Sequence, residues 1–121
     1  MAGRRASYAS GSNRSTTEHF LFFSGFAELL LGRTTEALSL LQKSLERNPT
    51  YGSAQLFLMA TLSLIGERRK AVDTAESFRG QYPEYPANAF EQLWLSRSAS
   101  ATYRAQIHPV FERIRELGVA N

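Results

Sequence analysis

Leu38, Leu41 and Leu45 fall at i, i+3 and i+7, with Leu40 widening the line. On a helix of 3.6 residues per turn that spacing makes one apolar stripe. The pattern returns at Leu58, Leu62 and Ile65, with Met59 beside them, and again at Val72, Ala75 and Phe78. Ala89, Phe90, Leu93 and Trp94 predict a shorter helix over 87–95. Val110, Ile114 and Leu117, with Phe111 alongside, predict a final one.

The punctuation between these stripes repeats. Gly32, Ala37, Pro49 and Tyr51 are followed 34 residues later by Gly66, Ala71, Pro83 and Tyr85. Each glycine follows an apolar run and suits a left-handed helix cap, which a residue with a Cβ adopts only at a cost. Each alanine stands near the start of the next helix, where a small side chain lets two helices cross closely. Each proline lacks an N–H and turns the chain back. One unit is therefore a pair of antiparallel helices, and 34 residues is the length of such a repeat.

A third unit begins at Pro86 and loses the register. The stretch SRSASATYRAQ has no glycine turn at the expected place. Ser98 or Ser100 can cap a further helix. Pro109 predicts a kink or a fresh start, with the last helix running over PVFERIRELG and Gly118 ending it. This last pair is expected to seal the exposed end of the stack.

These residues resemble the tetratricopeptide repeat (TPR) family. Gly25, Gly32, Ala37, Leu41 and Pro49 fill one copy of its motif; Met59, Gly66, Ala71, Phe78 and Pro83 fill a second. Glu28, Gln55 and Ser44 depart from the family's usual aromatic, tryptophan and second small residue. The resemblance implies an all-α fold of antiparallel helix-turn-helix repeats stacked as a short right-handed superhelix, with an irregular C-terminal helical cap. Its units would be 18–51 and 52–85, with a degenerate third unit or cap over 86–118, inside a domain of residues 18–121. The stretch RNPTYGSAQLFLMATLSLIGERRKAVD, together with a tail ending ELGVA, is similar to the repeat regions of bacterial class III adenylate cyclases and winged-helix transcriptional activators. That likeness implies a regulatory or assembly module and transfers no catalytic residue.

Charge changes the picture at one end. Of 14 Lys and Arg residues, Arg4, Arg5 and Arg14 lie in the first seventeen positions, which hold no acid. The net charge of +3 thus belongs to the tail, and the body is neutral. Residues 1–17, rich in Ser, Gly, Ala and Arg, read as a disordered basic tail. RRAS within it also matches a basophilic kinase pattern around Ser7. Cysteine is absent, which removes disulfides, thiolate metal sites and cysteine nucleophiles and points to a reducing cytoplasm. No apolar run reaches the ~20 residues that span a bilayer, so no membrane partner is expected.

Chemistry is sparse. His19 and His108 are the only histidines, 89 residues apart, and no acid partner is evident from their spacing. Glu112 and Glu116, interleaved with Arg113 and Arg115, read as a solvated face. No phosphate loop, nucleophile elbow or metal spacing occurs. The expectation is a non-enzymatic interaction module without a cofactor. By the family's positions the concave face carries His19, Phe22, Phe26, Leu29, Leu56, Ala60, Phe90, Trp94 and Arg97. His19, Phe22, Phe26, Leu56, Phe90, Trp94 and Arg97 are the candidate partner-binding residues. The face is either a groove for a peptide or helix, with Phe22, Phe26 and Trp94 as anchors, or core covered by the last helices or by a second copy of the chain. HFLFFSGF is a candidate for self-association into a homodimer. The alternative is a nucleic-acid-associated regulator using the arginine tail, which the neutral body argues against.

Overall fold

The computed structural model describes residues 17–84 and 87–118, and among them all regular structure is α-helical. Helix α1 covers 17–30, α2 Thr34–Arg47, α3 Gly52–Ile65, α4 Arg68–Gln81, α5 Ala87–Leu95 and α6 Ala101–Glu116. The expected basic tail and the Tyr85 match lie outside the described residues.

Two hairpins, α1–α2 and α3–α4, carry the repeat. Gly32 turns the first at φ 81° and Gly66 the second at φ 97°. In each, the residue after the glycine donates back into the helix: Arg33 N–H to the Glu28 carbonyl and Glu67 N–H to the Leu62 carbonyl, both at 2.9 Å. The buried residues of α2 are Ala37, Leu41 and Ser44; those of α4 are Ala71, Ala75 and Phe78. Each pair is separated by the same 34 residues, so the repeat in sequence is a repeat in packing. Leu38 and Leu45, placed on the α2 stripe by sequence, are half-buried beside it.

Ala37 and Ala71 are fully buried. Gly25 supplies the matching closeness on α1: a Cβ there would sit 3.0 Å from Cγ of Leu41 and 3.2 Å from Cβ of Leu40. Ser44 Oγ donates to the Glu18 carbonyl at 3.1 Å, tying the start of α1 to the end of α2. Gln55 Nε2 donates to the Pro49 carbonyl at 2.7 Å and to Gln81 Oε1 at 3.0 Å. A glutamine thus bridges the turn between hairpins to the end of α4.

Helix α3 is the centre of the molecule. Every residue from Ala54 to Leu62 is buried, and α2, α4 and α6 pack on it. The C-terminal pair is therefore not a third hairpin in register. Helix α6 lies on α3, with Phe111 ring-to-ring against Phe57 at 6.1 Å and Phe90 at 5.8 Å. Ile107, Val110 and Ile114 are buried on the same side. Its start is capped by Ser100 Oγ, which accepts from Tyr103 N–H at 3.3 Å. Its end is fastened to α4, where Arg79 Nη1 donates to the Leu117 carbonyl at 2.7 Å. A cation at a helix C-terminus also complements the helix dipole.

Of the two outcomes that Pro109 predicts, a kink or a fresh start, the fresh start does not occur. The proline lies inside the continuous α6. The bond it removes is the one to the Ala105 carbonyl, and Ala105 and His108 are both exposed, so water can serve the freed carbonyl.

Candidate functional site

The expected groove is filled. Phe22, Phe26, Leu56, Phe90 and Trp94 belong to the core, none more than 8% exposed. Their rings interlock: Phe26 lies 4.7 Å from Trp94 and 4.9 Å from Phe57, and Phe22 lies 5.8 Å from Trp94. Of the two readings left open for this face, that packing supports covered core and corrects the groove with Phe22, Phe26 and Trp94 as its anchors and Leu56 and Phe90 beside them. With two full repeats and an irregular third, the apolar flank of α3 is covered from within the chain.

His19 and Arg97, the two polar members of the expected set, are exposed and do not converge with an apolar pocket. His19 sits edge-on to Tyr51 at 5.4 Å. The Arg97 guanidinium lies 4.6 Å from the centre of the Trp94 ring. That geometry is a cation–π contact over the outer side of the aromatic cluster. Beneath it, Tyr103 Oη donates to the Trp94 carbonyl at 2.6 Å. Burial raises the Tyr103 pKa above the usual phenol value, against the opposing pull of the Arg97 charge. Tyr51 is raised by burial and, secondarily, by the Glu18 carboxylate.

The surface that does stand open is the outer side of α1. Phe20 is 66% exposed, Phe23 45% and Leu31 61%, and Ala27 between them is exposed as well. These four recur at three- and four-residue intervals, so they form one stripe opposite the buried Phe22, Phe26 and Leu29. No charged residue occurs from Phe20 to Ala27. The neighbouring Glu28 is held by Arg33 at 3.7 Å. Helix α5 adds Leu93, 54% exposed and next to Trp94, whose ring lies 6.3 Å from Phe23. Elsewhere the outer faces are charged: Glu36, Lys43 and Glu46 on α2, Arg69, Asp73 and Glu76 on α4, Arg104, Glu112 and Arg115 on α6.

The sequence singled out the whole segment HFLFFSGF for self-association without separating its exposed Phe20 and Phe23 from its buried Phe22 and Phe26. The available signal was excess: apolar residues on two sides of one helix are more than a single buried stripe requires.

The remaining features are modest. A cleft of about 320 Å³ lies between α2 and α4, lined by Leu45, Pro49, Gln55, Thr74, Ser77 and Gln81. The turn Gly66–Lys70 borders a second, solvent-open hollow, where Lys70 pairs with Glu67 at 3.2 Å. His108, for which spacing suggested no acid, pairs with Glu112 one turn on at 3.5 Å. Both groups are exposed, so the pair contributes little to stability. Among the described residues no group of three His, Asp or Glu could hold a metal, and no helix is long and apolar enough to cross a membrane. No protein family, curated protein or solved structure matches the chain.

Proposed function

We propose that the chain is a non-enzymatic protein-interaction module whose docking face is the outer side of α1, flanked by Leu93. The observation that carries this reading is the uncharged apolar stripe Phe20, Phe23, Ala27 and Leu31, exposed on a molecule whose other outer faces are charged. Single exposed apolar residues are ordinary, whereas a contiguous stripe is a recognition surface. The partner is an apolar surface of a protein, a helix or an amphipathic peptide. Resemblance to tetratricopeptide repeats supports the same reading, as does the likeness to regulatory repeat regions of bacterial cyclases and transcriptional activators, from which we infer a role in signalling or transcriptional control in the cytoplasm.

Titrating the full chain with a panel of amphipathic helical peptides tests it. Phe23→Glu is expected to weaken the best binder about tenfold or more, the effect of losing a central aromatic anchor, with the melting temperature unchanged. Undiminished binding in that variant sinks the docking face.

A further inference from the structure

We propose that the occupant of the α1 face is a second copy of the same chain, with the two α1 helices lying antiparallel. The inference rests on α1 being a docking face and adds what docks there.

The stripe is complementary to its own reversal. Its members stand at 20, 23, 27 and 31. Turned end for end about a point between Phe23 and Ala27, Phe20 comes opposite Leu31 of the second copy. Phe23 comes opposite Ala27, so the ring fills the space left by a methyl group. The contact runs along about 16 Å of helix at 1.5 Å per residue. A two-fold pair of this kind uses the same patch on both copies, which a self-matching stripe permits.

Electrostatics agree. From Phe20 to Ala27 the helix carries no charge, so pairing desolvates none there. The flanking carboxylate of Glu28 already has Arg33 as its partner. Area bounds the contact. Phe20, Phe23, Leu31 and Leu93 together expose roughly 400 Å² per copy, scaling large side chains of about 150–250 Å² by their exposures. Two copies would remove about 800 Å² of apolar surface, and with a polar rim reach the lower end of stable interfaces near 1,200 Å². Contacts at that end are weak and reversible, so the dimer is sought in the micromolar range and above.

Sedimentation velocity on the full chain from ~1 µM to ~1 mM reads this directly. The expected result is a passage from monomer to twice the monomer mass within that range. Phe20→Glu and Phe23→Glu are each expected to stay monomeric throughout with unchanged helical circular dichroism. Phe20 is the more exposed, so its variant serves if the other fails to fold. A dimer that survives Phe20→Glu overturns the interface. A wild-type chain monomeric at ~1 mM overturns the pairing, and the peptide titration then separately decides whether the face docks anything. Orientation has its own readout because the chain has no cysteine. Phe20→Cys protein mixed with Leu31→Cys protein is expected to give mixed disulfides in preference to like pairs, since these two positions face each other and like positions stand about 16 Å apart along the helix. Predominance of like pairs overturns the antiparallel register.

Discussion

At Gly66 the backbone stands at φ 97° with nothing within 4 Å of where a Cβ would be. The demand for glycine there is conformational alone. Gly66→Ala should therefore cost about 1–2 kcal/mol, the strain of a left-handed residue with a side chain. Gly80 offers the control. It lies inside α4 with equally open space and no positive φ, so Gly80→Ala should stabilise by about 0.5–1 kcal/mol. Urea denaturation of both variants checks the opposite signs. Tyr103 supplies a prediction in pH. Its folded pKa is raised by burial, so between the unfolded value near 10 and the folded value the unfolded chain has released more protons. Stability is thus fully present below about pH 10 and falls as pH rises above it. Tyr103→Phe removes the bond to the Trp94 carbonyl at neutral pH and should flatten that alkaline fall, read as melting temperature against pH.

At the scale of elements, the covering of α3 by α6 is the decisive contact. Phe111 is buried against Phe57 and Phe90, so Phe111→Ala should destabilise by about 3–5 kcal/mol. Thermal or denaturant unfolding checks the size, and a loss under 1 kcal/mol would mean that α6 is a loose appendage. The two hairpins were legible in the sequence because their signals are local: Gly32 and Gly66 need their conformation, and Ala37 and Ala71 need to be small, wherever the rest of the chain lies. That the last helices cover apolar surface was legible too, but their seat on α3 was not, because the stripe of Val110, Phe111 and Ile114 declares that something must be covered without saying which helix. The clue was in α3, where Gln55 and Thr61 are the only polar residues from Ala54 to Leu62. A helix that apolar on every side needs more neighbours than two hairpins provide. Pro109 misled for a related reason, since its helix tolerates a missing bond on the side that meets water.

At the scale of the molecule, the alternative left open by the sequence closes in favour of core. The hollow of the stack was either a groove anchored by Phe22, Phe26 and Trp94 or covered core, and all three side chains are buried. A stack of many units can leave that hollow open because its core is supplied elsewhere. With six helices among the described residues, the hollow is used as core. The surplus apolar surface appears on the opposite side, at Phe20, Phe23 and Leu31.

The clasp between Arg79 and the Leu117 carbonyl holds α6 across α3, so that flank is finished from within the chain. In the pairing proposed for α1, each copy's stripe is taken up by the other's. A two-fold contact of that kind closes on itself instead of lengthening into a filament.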